Sequence, residues 1–326
     1  MVAGSTGSES LAELLSRQRG LIRRKQALKR GITGKGIHWR IVRGRWQRVL
    51  PGTYAVFSGQ LTEEQRLIAA VLYGGKDAQI TGAAALRWHG VRYAPSDDGI
   101  DLLIPSTAKR ASKDFVRVVR TIRLDPHSRL RPAMEVCSIV RATADAARRS
   151  RSLREVRAFV GEVVQRRLTT VSELDDELRD GPTAGSALLR RVLQDLGAGV
   201  RSAPEAEFRD LLRRSRLLPA VHWNPQLAAA DGTRLPTPDG WIQEVGIAME
   251  VDSQEHHASL EGWRRTMDRH NRLAAAGILT LHFTPREIRE NPGRVLETVE
   301  TTYLERLRTH HGFAAVSPID ASLRPS

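Results

Sequence analysis

The chain has 326 residues, 40% hydrophobic and 27% charged, with a formal net charge of +14; that length exceeds what one core usually organises, and that balance excludes wholesale disorder. The single cysteine, Cys137, excludes an internal disulfide and any zinc site built from several cysteines, and its apolar setting, AMEVCSIV, reads as a buried core thiol. No apolar run reaches the length of a membrane span, and the opening MVAGSTGSES has neither a basic start nor an apolar stretch, so a cytoplasmic location is expected.

Residues 1–9, rich in Gly, Ser and Thr, read as a disordered leader. Leu11, Leu14 and Leu15 open a short amphipathic helix that Gly20 ends. A second helix is expected over Arg23 to Arg30, stopped by Gly31, and a third from about Lys35 to Val42 with Ile37 and Ile41 on one face. Two short strands, Arg45 to Leu50 and Thr53 to Phe57, flank the turn Pro51-Gly52. Three short helices followed by a hairpin is the order of a winged helix, expected over residues 10–60.

Charge singles out the same segment. Residues 1–60 hold twelve Lys or Arg against Glu9 and Glu13, net +10, whereas residues 61–200 carry +5 and residues 201–326 carry −1. A local cationic field with no acid between Arg17 and Arg48 suits a polyphosphate partner, double-stranded DNA above all. In a winged helix the third helix enters the major groove and the wing touches phosphates or the minor groove. The candidate contacts are Arg23 and Arg24, then Lys35, His38, Arg40 and Arg43 on the third helix, and Arg45 and Arg48 on the wing. Trp39 and Trp46 are expected to pack the core of so small a domain, with stacking on bases as the alternative.

Residues 61–195 read as a mixed α/β middle domain. Helices are expected after Thr62 and Thr81, strands over Ile100 to Pro105 and Val116 to Leu124, and helices over Glu135 to Arg149 and Leu153 to Arg166. His89 and Asp145 lie on helices without a chemical pattern and read as structural. Arg179 to Gly185 looks like the start of a linker.

Residues 202–310 form the expected third domain, a mixed sheet flanked by helices; residues 311–326 are expected to be a flexible tail. A helix over 202–218 begins with a Ser cap and an early Pro. Its Glu205 lies three residues before Phe208, on nearly the same face as the apolar stripe. The strand Ile247 to Asp252 puts Ile247, Met249 and Val251 on one side and Glu250 and Asp252 on the other, roughly 7 Å apart. Adjacent acids on an otherwise apolar strand are costly unless a cation neutralises them. Glu205, Asp239, Glu250 and Asp252 therefore suggest a divalent-metal site, with Mg²⁺ preferred for its hard oxygen ligands, able to activate water against a phosphodiester. The alternative is a set of ion pairs with arginine.

Two family resemblances bear on these readings. Through GIHWRIVRGRWQRVLPGTYAV at 36–56 and ITGAAALRWHGV at 80–91, residues 9 to about 195 resemble the AbiEi-type antitoxin regulators of actinobacteria. That resemblance implies a winged helix on operator DNA, a middle domain with antitoxin or regulatory activity, and a toxin or other operon partner. Residues 202 to about 305 resemble the Vsr-like branch of the PD-(D/E)XK nucleases, a restriction-endonuclease-like fold. The family pattern falls on Glu205, Asp239, Glu250, Asp252, His256, Asp268 with Arg269 and Arg272, and Gly277. By that resemblance Asp239 is the main metal ligand, Glu250 or Asp252 a second acid, His256 a proton-transfer group, and Asp268, Arg269 and Arg272 supports. The chain departs from the pattern at Ser253, Ile278 and His282 and has no lysine after Lys113.

The expected architecture is thus α/β of the α+β kind: winged helix, mixed middle domain and nuclease-like sheet. The leading functional expectation is a DNA-binding protein with a Mg²⁺-dependent endodeoxyribonuclease domain. The alternative is a non-enzymatic AbiEi-like antitoxin or repressor carrying a degenerate nuclease fold.

Overall fold

The computed structural model describes residues 9–200, 202–252, 260–309 and 316–318, with the side chains of 260–266 and 316–318 outside that description. The chain divides into two compact units, Met1–Arg190 and Arg191–Ser326. No helix among the described residues is long and apolar enough to cross a membrane.

The first unit opens with α1 (Leu11–Arg17), β1 (Leu21–Arg23), α2 (Arg24–Lys29), α3 (Gly34–Val42), β2 (Gln47–Leu50) and β3 (Thr53–Ala55). Ser10 and Glu13 form a reciprocal capping box at the start of α1. The Thr33 hydroxyl caps α3 by accepting from the Gly36 N–H at 3.1 Å. The strands form an antiparallel sheet in the order β1-β3-β2, completing a winged helix whose wing turns on Pro51-Gly52. Gly52 sits at φ +74°, where a side chain would be strained.

Sequence periodicity misplaced one element here: Arg23 ends a strand and does not begin a helix. Leu21 and Ile22 are fully buried and pair with Ala55 and Tyr54, so distant pairing overrides the local helical preference. Leu14, Ile22, Ala27, Ile37, Trp46 and Tyr54 make the core. The two tryptophans part company, because Trp46 is buried whereas Trp39 is 46% exposed. The expectation that Trp39 packs the core is therefore corrected.

The same unit continues through α4 (Glu63–Gly74), β4 (Gln79–Thr81), α5 (Gly82–Trp88), β5 (Ile100–Pro105), β6 (Val116–Thr121), β7 (Arg129–Arg131) and β8 (Met134–Val136). Helices α6 (Ile139–Arg149), α7 (Leu153–Gln165) and α8 (Val171–Asp180) follow, and α9 (Ala187–Gly197) begins in the first unit and ends in the second. The mixed sheet runs β6-β5-β4-β8-β7. The helix expected from Glu135 starts only at Ile139, because Met134–Val136 is claimed by pairing with β4 and β7. Asp145 accepts from Thr81, Arg141 and Arg148 at 2.7, 2.8 and 3.0 Å, and a His89 ring nitrogen meets the Cys137 carbonyl at 2.8 Å. Both are engaged in packing the unit. Cys137 is fully buried, and burial pushes its thiol pKa up.

The second unit contains α10 (Ala203–Leu212), β9 (His222–Trp223), β10 (Leu227–Ala229), β11 (Arg234–Leu235), β12 (Gly240–Ile242) and β13 (Ile247–Val251). It ends with α11 (Leu260–Ala275), β14 (Leu279–Phe283), α12 (Pro285–Glu290), α13 (Pro292–Thr309) and β15 (Val316–Pro318). The main sheet is β14-β13-β12-β9, with β13 and β14 parallel and the other pairs antiparallel. Phe208 and Leu211 from α10, Ile288 from α12 and Val299 from α13 share one core with Ile247 and Met249. Trp241 and Ala248, on the alternate positions, pack with Leu273 of α11 and Ile278 in another. Period-two alternation along β12 and β13 thus feeds two cores from one sheet.

Two further expectations are corrected. From the residues alone one extended segment is expected over about Val221 to Ala229, but it breaks at Asn224, whose φ of +48° turns the chain, so β9 and β10 belong to different sheets. Val316–Pro318, within the stretch expected as a flexible tail, forms a strand paired with β10. The expected α+β class holds, with thirteen helices and mixed sheets among the described residues.

Candidate functional site

The basic surface of the winged helix is built by helical geometry. Ile37 and Ile41 turn α3 toward the core. With 3.6 residues per turn, Lys35, His38, Trp39 and Val42 then share the opposite side, and all four are exposed. Arg43, Arg45 and Arg48 are exposed where the chain leaves α3 and enters the wing, and Arg24 is exposed on α2. Among the described residues none of Arg24, Lys35, Arg43, Arg45 and Arg48 has an acidic partner. The acids of this segment are spent elsewhere: Glu9 pairs with Arg17 at 2.9 Å and with Arg30 at 3.3 Å, and Glu13 caps α1.

Two expected contacts are placed differently. Arg40 is half-buried, donates to the Gly36 carbonyl at 3.0 Å and lies 5.6 Å over the Trp46 ring. Arg23 is half-buried in β1, where burial and then the Arg110 charge lower its pKa. Arg40 thus already makes internal contacts, and Arg23 is partly withdrawn from water.

The acids of the second unit converge where α10 meets the start of β12 and the end of β13. Glu205 follows the Ser202 cap in the first turn of α10, and its carboxylate is buried and accepts from Asn224 Nδ2 at 2.7 Å. The Asn224 backbone N–H donates to the Asp239 carbonyl at 3.0 Å. Asp239 Oδ2 in turn accepts from the Val251 N–H at 2.8 Å, beside Glu250. Asn224 thereby links Glu205 to the strand acids. Sequence reading missed it, although an Asn-Pro step between strands is a turn signal.

Electrostatics register the crowding. Burial, then the Glu205 charge, pushes the Asp239 pKa up to about 6. Burial also pushes Glu250 up to about 8, with Asp239 and Asp252 adding to the rise and Arg269 opposing it. Arg269 Nη2 donates to Glu250 Oε1 at 2.6 Å and also to the Thr237 carbonyl. We assign Glu250 a raised pKa despite this ion pair, because its carboxylate is buried while Arg269 keeps part of its guanidinium in water.

Of the remaining residues of the nuclease-like pattern, Asp252 lies near the cluster, its charge raising both Asp239 and Glu250. Asp252 is held by His282 Nδ1 at 2.7 Å on the strand rim. Asp268 is exposed, and neither arginine braces it: Arg269 goes to Glu250, and Arg272 donates to the Arg234 carbonyl at 2.6 Å. His256 lies outside the described residues. Among the described residues no three His, Cys, Asp or Glu side chains gather closely enough to hold a metal ion. A cleft of about 710 Å³ in the same unit, lined in part by Arg213, His222 and Trp223, includes none of the four acids.

No curated protein matches the chain. The solved structure of the RV2827C protein from Mycobacterium tuberculosis is similar at 18% identity and a TM-score of 0.38, over 55% of this chain and 73% of that one. Residues 9–56 match the family described as "Transcriptional regulator, AbiEi antitoxin", so that segment of the chain is similar to AbiEi-type regulator domains.

Proposed function

We propose that the chain is a DNA-binding transcriptional regulator that docks the outward side of α3 in the major groove and the wing on the backbone. The observation that carries this is the set of exposed cations, Arg24, Lys35, Arg43, Arg45 and Arg48, left without acidic partners around a family-matched winged helix. His38 faces the same way and can donate to a base edge or a phosphate. An antitoxin role adds a toxin protein as a second partner. Titrating the full chain against labelled duplexes selected from a random library, over a range of salt, tests the reading. Enrichment of a defined site with a steep salt dependence supports it, and no enrichment sinks it.

A second reading is favoured by one observation, the gathering of buried Glu205, Asp239 and Glu250, in which burial and then Glu205 raise the Asp239 pKa, and burial, with Asp239 and Asp252 adding, raises that of Glu250. Buried carboxylates that repel one another suit a hard divalent cation, and Asp239 and Glu250 are the residues that would hold Mg²⁺. Such an ion supplies Lewis-acid activation of water for phosphodiester hydrolysis. Glu205 would complete the negative site, Arg269 would orient Glu250 and offer positive charge in place of the missing lysine, and Asp252 would stay tied to His282. His256 would be the proton-transfer group. Plasmid nicking in Mg²⁺ by the full chain but not by Asp239→Ala would support this Vsr-like endonuclease activity; no nicking, or equal nicking by both, leaves the regulator alone.

A further inference from the structure

We propose that α3 reads thymine, by packing Trp39 and Val42 against the C5-methyl groups in the major groove. The inference rests on the DNA-binding reading above and names the bases that reading leaves open.

Trp39 and Val42 are 46% and 68% exposed, large apolar side chains on the outward side of a helix whose inward side already fills the core. Trp39 is not among the residues that make the core of this domain, where Trp46 and Tyr54 are the buried aromatics. Trp39 is also held in place: the Arg43 and Arg45 guanidinium groups lie 5.9 and 5.1 Å from its ring centre. Such cation–π contacts reduce the freedom the indole would lose on binding. Apolar surface surrounded by cations and without acids matches a phosphate-walled groove better than a protein face. Within that groove only thymine among the four bases presents a methyl group. His38, one residue before Trp39, is exposed as well.

The test uses the full chain and duplexes enriched from a random library, each then synthesised with thymidine and again with deoxyuridine, which lacks only the methyl. Each methyl buried is worth about fourfold in affinity, so two or three contacts give a tighter thymine duplex by about 15- to 60-fold. Trp39→Ala should keep only the part of the ratio that Val42 supplies, Trp39→Phe should keep more of it, and Trp39→Ala with Val42→Ala should bind both duplexes alike, near the weaker value. Equal binding of the two duplexes by the unaltered chain, or an undiminished ratio in Trp39→Ala, overturns the thymine inference while leaving DNA binding intact. Failure of the chain to enrich or bind any duplex overturns both.

Discussion

The winged helix and the acid site handle charge in opposite ways. In the first, cations stand in water with their acids removed to α1, so the field points outward and is available to a large partner. In the second, carboxylates are sunk between a helix and a sheet, repel one another and lean on one arginine and one asparagine. Exposed like charges cost little in water and act over a Debye length, whereas buried ones cost stability and act only at contact. Outward charge therefore marks a docking surface by itself. Inward charge marks a site only if something small neutralises it.

The largest expected effect separates the tryptophans. Trp46→Ala removes a buried aromatic from the winged-helix core and should cost about 3–5 kcal/mol, whereas Trp39→Ala should change stability by less than about 0.5 kcal/mol. Chemical denaturation followed by the loss of helix signal measures both. A similar cost for Trp39 would make it part of the core, and the outward surface would lose its centre.

Removing Arg43, Arg45 and Arg48 together by alanine should weaken duplex binding about 100-fold at moderate salt and flatten log K against log salt by about 2–3. Arg269→Ala should leave both quantities unchanged. Anisotropy titrations at several salt concentrations make the comparison, and an equal effect from Arg269 would join the two regions into one interface.

Arg269→Ala should instead destabilise the second unit by about 2 kcal/mol, because a buried carboxyl loses its partner. The loss stays below that of a typical broken buried pair because Glu250 can take up a proton. Glu250→Gln in the same background should recover most of it. Calorimetric unfolding of the four combinations reads the coupling.

The smallest effect is a pH slope. Asp239 and Glu250 have folded pKa values above their unfolded ones, so their protonated forms favour the fold. Their contribution is complete below pH about 4 and is lost as pH rises through about 6 and then about 8. The melting temperature of the second unit should therefore fall between pH 5 and 8.5, and Asp239→Asn should flatten part of the fall. Mg²⁺ at pH 8.5 should restore it if the acids hold the ion; no change with Mg²⁺ leaves them as a burdened structural cluster.

Much of this molecule is written locally. Capping residues such as Ser10, Thr33, Thr62 and Ser202, the Pro51-Gly52 turn and the apolar spacing of Ile37 and Ile41 act within a few residues, so helix starts and the wing could be read directly from the chain. The unequal distribution of charge is likewise a property of composition. Distant contacts decided the rest. Long-range pairing turned Leu21–Arg23 and Met134–Val136 into strands, and packing buried Trp46 while leaving Trp39 in solvent. The meeting of Glu205 with Asp239 through Asn224, and of Arg269 with Glu250 rather than Asp268, depends on how helices lie on a sheet. Short-range rules specify what each residue prefers, but which side chains share a dry interior is set only when segments far apart in sequence close the same core.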